Sequence, residues 1–250
     1  MMLKFILLFT TTFFTACTPI KPDIGLTLFE KEYIRANPTI TFVAETAHAP
    51  YMFKDGDKLR GMSIDYVRLI ERKTGLKLVP VEFSTFHAGL VAVQDKKVDL
   101  ITTIRVNAER LEYLEFTPPY SLVGGVLVTT APVLELPKSV SIAKKFSVKA
   151  WVDSELPFAK LVEFDNDSLS MDAMLAGAVE AAVMDHATYL WLRQNTELPT
   201  SATQIGFDYA YNFAVLKGNT VLPSIIAKAL LSITAEERAK INQRWVKSLD

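Results

Sequence analysis

Short β-branched runs alternate with helical patterns between Thr39 and Ile104, and the alternation returns after Val126–Thr130. Thr39–Glu45 (TITFVAE) reads as a strand. Ile64, Val67, Leu69 and Ile70 mark the inner side of a helix, with Ser63 as candidate cap and Gly75 as terminator. Leu76–Phe83 reads as a second strand, Phe86–Asp95 as a helix and Val98–Ile104 as a third strand. In the second round Ser147–Val152 reads as a strand, Ser168–Leu175 as a helix, Ala181–Met184 as a strand and His186–Gln194 as a helix. This order predicts parallel sheets with helices on their faces. A helix over Leu28–Ala36 precedes the first round and stops before Asn37-Pro38, since a residue before proline is pushed out of the α region. Near Tyr211 the chain turns extended again (YNFAVLK), and two helices follow. Pro223 suits the first turn of one, and Thr234 with Glu237 forms a capping box for the other. Two α/β units joined by paired extended segments predict a hinged molecule: lobe 1 from residues 26–127 plus 213–250, lobe 2 from 128–212.

The N-terminus carries a different message. Met1–Ala16 has one early charge, Lys4, and then an apolar run from Phe5 to Phe14. A bilayer span needs about 20 apolar residues, so the run fits the core of a secretory signal instead. Phe14-Thr15-Ala16-Cys17 resembles a bacterial lipobox, which implies that residues 1–16 are a signal peptide and that Cys17 is lipidated. The alternative is a soluble secreted protein with a spare buried cysteine. Thr18, where an aspartate would mark inner-membrane retention, points to the outer membrane in a Gram-negative host, and residues 17–25 form a tether. As the chain's single cysteine, Cys17 can build neither an internal disulfide nor a thiolate metal site. The 27 basic and 28 acidic residues are mixed along the chain, so nothing marks a nucleic-acid surface.

Several short motifs then recur in a telling order. They are Ala49-Pro50-Tyr51-Met52-Phe53, Gly61-Met62-Ser63-Ile64-Asp65, Val98-Asp99-Leu100, Glu109-Arg110 and Phe116-Thr117-Pro118-Pro119-Tyr120. In the second half come Ala176 to Ala181 (AGAVEA), Asp185 and Tyr211-Asn212-Phe213-Ala214-Val215. From Glu45 to Trp245 the chain resembles the type II periplasmic solute-binding proteins of the polar amino acid family, the bacterial extracellular solute-binding proteins of family 3. The lead-in Leu26–Ile34 with Asn37-Pro38 is similar to the start of the version found in bacterial sensor kinases. The resemblance implies a type II periplasmic binding fold, each lobe a mainly parallel sheet flanked by helices, with a two-segment hinge. It implies a free-standing, monomeric, tethered protein of the periplasm that binds a small polar ligand, an amino acid first, without cofactor or catalysis. The implied partner is an ABC-type permease; the sensor-like lead-in offers a membrane signalling receptor as the second reading.

A receptor for an amino acid needs a fixed cation for the carboxylate and a fixed anion for the ammonium group, and the crevice of open α/β sheets lies beyond the carboxyl ends of the strands. Arg110 follows the strand ending at Ile104, in the first turn of a short helix beginning near Asn107. There a bidentate guanidinium and helix N–H groups can grip a carboxylate. The resemblance implies that Arg110 holds the ligand's α-carboxylate; the alternative is a surface ion pair with Glu109 or Glu112. It likewise implies that Asp185 binds the α-ammonium group, the alternative being a helix cap. Glu45 matches an acidic position near the ligand's side chain, and is otherwise a solvated strand end. His48, Phe86 and Tyr51 match wall positions, and are otherwise packing.

Two departures from the family pattern stand out. Arg105 and Asn107 replace hydroxyl residues, while Thr103 keeps its type. Arg105 either faces solvent, adds a second cation to the pocket, or pairs with Glu45. The usual Gly-Thr turn of the second lobe is absent, with Val152-Asp153-Ser154-Glu155 in its expected place. Against an enzyme such as a dehydratase, His48, His87 and His186 are scattered without zinc spacing, and no nucleophile elbow, P-loop or dinucleotide fingerprint occurs. A cleft for a peptide is a further alternative.

Overall fold

The computed structural model describes residues 23–130, 132, 135–144, 147–194 and 199–246. Cys17 and most of the tether lie outside the described residues. Helix α1 (Leu28–Ala36) opens the chain with a Thr27–Glu30 capping box. Strand β1 (Thr39–Glu45) follows, then a small antiparallel sheet of β2 (Ala47–His48), β3 (Met52–Asp55) and β4 (Lys58–Arg60). Next come α2 (Met62–Thr74), β5 (Lys77–Phe83), α3 (Phe86–Gln94), β6 (Leu100–Ile104), the single-turn α4 (Ala108–Leu111) and β7 (Leu114–Phe116). Strand β8 (Ser121–Thr129) leads into β9 (Ser139–Ala143), α5 (Lys149–Glu155), β10 (Lys160–Phe164), α6 (Asp167–Leu175), β11 (Ala181–Asp185) and α7 (His186–Arg193). The long β12 (Ser201–Leu216) returns, and α8 (Val221–Leu231) and α9 (Ala235–Trp245) close the chain.

The strands run in the order β10-β9-β11-β8-β12-β6-β1-β5, with β7 beside β12. Strands β5, β1 and β6 are mutually parallel, as are β10, β9 and β11. Each parallel group therefore heads one lobe, and the antiparallel pair β8/β12 runs between them. That pair shifts register between Gln204 and Asp208, where Gly206 takes φ +65°. Opposite the shift, a side chain on Gly125 would stand 2.8 Å from the Phe207 carbonyl oxygen. Glycine permits this close, twisted crossing of two strands that serve both lobes.

Several expectations change at the residue level. Ser147–Val152 is not a strand: β9 is the β-branched run Ser139–Ala143, and residues 149–155 form α5, which buries Val152. The segment Val152–Glu155 thus lies in a helix, and the first strand of this lobe is followed by a turn residue at Lys144. Ser63 does not cap α2. Gly61 is the cap residue, and the first free N–H groups of the helix are taken by backbone, Met62 N–H by the Pro50 carbonyl at 2.9 Å and Ser63 N–H by the Tyr51 carbonyl at 2.9 Å. A β-carbon at Gly61, whose φ is +131°, would stand 2.1 Å from the Tyr51 carbonyl oxygen. Only glycine lets the helix start so close to the Pro50-Tyr51 turn, and that contact fixes where Tyr51 stands.

Candidate functional site

The carboxyl ends of β1, β6 and β11 meet along the seam between the lobes. From β6 the chain passes Arg105 and enters α4, capped by Asn107, whose Oδ1 accepts from the Arg110 N–H at 2.8 Å. That N–H is therefore committed to the cap. The Arg110 side chain is buried, donates from Nη1 to the Arg105 carbonyl at 2.9 Å, and lies 5.0 Å from the Phe86 ring centroid at the start of α3. No ion pair to Glu109 or Glu112 accounts for it among the described residues. Thr103 sits in a closed set of hydroxyls with Ser63 (2.8 Å) and Tyr120 (3.3 Å).

Asp185 does cap α7, and it does more. Oδ1 accepts from Thr188 N–H at 3.0 Å and from the Tyr51 hydroxyl at 2.8 Å. Oδ2 accepts from the Thr188 hydroxyl at 2.7 Å and from the Tyr211 hydroxyl at 3.1 Å. Its exposure is 1%. Four donors saturate the acceptor capacity of a carboxylate. Burial, and then the Asp185 charge, push the Tyr51 and Tyr211 hydroxyls well above the phenol range, so both remain protonated donors. The Tyr51–Asp185 bond joins one lobe to the other. A second clasp is aromatic: Phe53 of β3 meets Trp191 of α7 at 4.9 Å and Trp245 of α9 at 5.8 Å.

Glu45 and His48 are turned toward each other, with Nδ1 3.5 Å from Oε2. Both are buried, and His48 also packs 5.1 Å from the Tyr51 ring. Across the seam stands Asp167, the first residue of α6, whose Oδ1 has no hydrogen-bond partner. Desolvation works against a charged His48, but Glu45 and then Asp167 and Asp185 outweigh it and raise the group to about 9. Burial raises Asp167 to about 7, His48 pulling the other way.

Arg105 is half-buried and makes no ion pair with Glu45. Its guanidinium stacks 4.1 Å over Phe207 and 4.8 Å over Tyr209, and Nη2 donates to the Asp208 carbonyl at 2.8 Å. Nε and Nη1 are buried without a partner. Together with Arg110, Thr103, Ser147, Tyr209 and Tyr211 it lines a cavity of about 20 Å3 at the centre of the seam. On one side this opens toward a groove of about 670 Å3 that includes Phe86, Arg110 and Ser147. On the other side of His48 lies a separate groove of about 250 Å3, with Glu45 and Asp167. A larger groove of about 730 Å3 at Arg60, Trp191 and Trp245 shares no residue with the cavity. Its Asp65 is already held by Arg244 and Trp245, each at 2.8 Å, so the seam, where donors stand unpartnered, is the better site.

The structure thus brings Arg110, Arg105, Thr103, Phe86 and His48 to one cavity, Tyr51 and Asp185 to the bond behind it, and Glu45 to the far side of His48. Sequence reasoning passed over Tyr209 and Tyr211 as site residues. The signal was there: Phe207, Tyr209, Tyr211 and Phe213 recur at every second position, the mark of one face of a strand. Asp167 and Ser147 gave no such sign.

Comparison with known proteins fits this two-lobed geometry. A sequence model of the bacterial extracellular solute-binding proteins, family 3, matches residues 40–248. The chain belongs to this family. It is 27% identical over 228 residues to the virulence sensor protein BvgS of Bordetella pertussis, covering 86% of the chain but only 18% of that much longer protein. It is 26% identical to a probable amino-acid ABC transporter-binding protein of Haemophilus influenzae, over 85% of this chain and 86% of the other. The crystal structure of the BvgS periplasmic domain shares the fold, with a TM-score of 0.82 at 23% identity over 89% of this chain and 45% of that one.

The His48 cluster gives this family member a predicted pH response. A group whose folded pKa lies above its unfolded value stabilises the fold fully below the unfolded value and stops doing so as pH rises through the folded one. For His48 the window runs from 6.5 to about 9, and for Asp167 from 3.8 to about 7. The melting temperature should fall as pH rises from 6.5 to 9, and the fall should be smaller in His48→Gln. Equal slopes in the two proteins, measured by thermal unfolding across that range, would remove His48 as its source.

Proposed function

We propose that this protein captures a small polar ligand between its lobes, with Arg110 holding a ligand carboxylate. The observation that carries the reading is a buried arginine in the single-turn helix that follows a parallel strand, on a cavity lined from both lobes. Closure would follow from contacts that a ligand makes with both lobes at once. Amino acids are the ligand class named for the Haemophilus relative, and the reading here is binding without chemistry. Lobe 1 comprises residues 26–127 plus 213–250 in this reading, and lobe 2 residues 128–212. Residues 1–16 act as a signal peptide, and Cys17 carries a lipid that holds the protein at the periplasmic membrane surface. Delivery to an ABC permease is the first role; reporting to a membrane sensor is the second, favoured by the match to BvgS over most of this chain.

A thermal-shift screen with amino acids and small organic acids tests capture. Ligand at a hundred times its dissociation constant adds about 2.7 kcal/mol of stability, and Arg110→Ala should abolish the shift. A ligand whose shift survives Arg110→Ala would remove the clamp. The anchor is tested by fractionation: Cys17→Ser should move the protein from membrane to soluble fractions, and retention at the membrane would contradict lipidation at this residue.

A further inference from the structure

The polar groups facing the central cavity are sorted by kind in a way that specifies the ligand further. Its lining includes Arg105 and Arg110 together with His48, Thr103, Ser147, Tyr209 and Tyr211; the Thr103 hydroxyl is engaged with Ser63 and Tyr120, and the Tyr211 hydroxyl is given to Asp185. No carboxylate lines it among the described residues. Asp185 stands behind the tyrosines with all four acceptor directions taken, and Glu45 is turned to His48 on the opposite side. For an ammonium group to reach Asp185, the Tyr51 or Tyr211 hydroxyl must let go. Each is buried, so the freed hydroxyl would be left without a partner at a cost of about 1–3 kcal/mol.

Unpartnered groups on the lining residues include donors, whereas the unpartnered Asp167 Oδ1 lies off the cavity, in the groove on the other side of His48. Arg105 Nε and Nη1, Ser147 Oγ and the Tyr209 hydroxyl are buried without partners, and all four can donate a hydrogen bond. Stacking on Phe207 and Tyr209 uses the faces of the Arg105 guanidinium and leaves these edge N–H groups open. Arg105 makes no salt bridge among the described residues, and its charge also pushes Arg110 down, beyond the larger effect of burial. Two neighbouring cations and a set of open donors favour a ligand rich in acceptors and anionic charge. The cavity of about 20 Å3 holds roughly one water molecule, so the lobes must part to admit a ligand, and a short one demands the least widening on reclosure.

We propose that the ligand is a small organic dianion without an ammonium group, one carboxylate on Arg110 and a second acidic group on Arg105, with Tyr51 and Tyr211 filling the place an amine would take. This rests on Arg110 being the carboxylate clamp and narrows that reading. Calorimetric titration with two matched pairs, succinate against L-aspartate and glutarate against L-glutamate, tests it, because each pair differs by the ammonium group. The dicarboxylate of at least one pair should bind about tenfold or more tighter than its amino acid, and Arg105→Gln should weaken it by about ten- to a hundredfold, the worth of a charge-assisted contact. Tyr51→Phe, which frees one acceptor site on Asp185, should shift the ratio within that pair toward the amino acid. In both pairs an amino acid that binds as well as or better than its dicarboxylate, or an Arg105→Gln protein that binds the preferred dicarboxylate unchanged, would overturn the assignment and leave ligand capture standing. Binding of some other amino acid with neither dicarboxylate would do the same. Failure of every amino acid and organic acid would overturn capture itself, and this inference with it.

Discussion

One buried carboxylate organises the seam of this protein. Asp185 begins a helix in one lobe and is sealed from water by the other, and an ionised carboxylate there is costly unless every lone pair is met. Meeting them takes the helix's own Thr188, Tyr211 from the strand that joins the lobes, and Tyr51 from the opposite lobe. Tyr51 is in place because Gly61 allows α2 to begin against its carbonyl oxygen. A hydrogen bond is directional, so the lobes meet in a defined arrangement and not by general apolar adhesion. The Phe53–Trp191–Trp245 cluster then adds apolar contact across the same boundary.

Charge is divided along the seam with His48 at the divide. Arg105 and Arg110 stand on one side of it, Glu45 and Asp167 on the other. His48 touches both regions, and its raised pKa places a cation against the acidic side. On the acidic side Glu45 faces His48, while Asp167 keeps one buried oxygen without a partner.

The parts of this account legible in the sequence are those set by local physics. Helix α1, strand β1, the capping box at Thr234 and the Gly75 terminus follow from short-range patterns and were found where expected. Residues 147–152 misled, because Val148 and Val152 read as β-branched strand positions when four-residue spacing places Val152 on the buried side of a helix. Ser63 looked like a cap because its type suits one, but its hydroxyl is engaged with Thr103 and Tyr120. In the site, Arg110 could be reached from its place after β6. The partners of Asp185 could not: Tyr51 lies 134 residues away, and only the closed geometry brings the two together.

A crystal structure of the protein grown with succinate would show directly whether the seam binds a dianion on its two arginines. One carboxylate should lie on Arg110 and the other on Arg105, with Tyr51 and Tyr211 still bonded to Asp185. Succinate bound outside the seam, or a seam in which Asp185 has turned from both tyrosines toward the ligand, would contradict this placement.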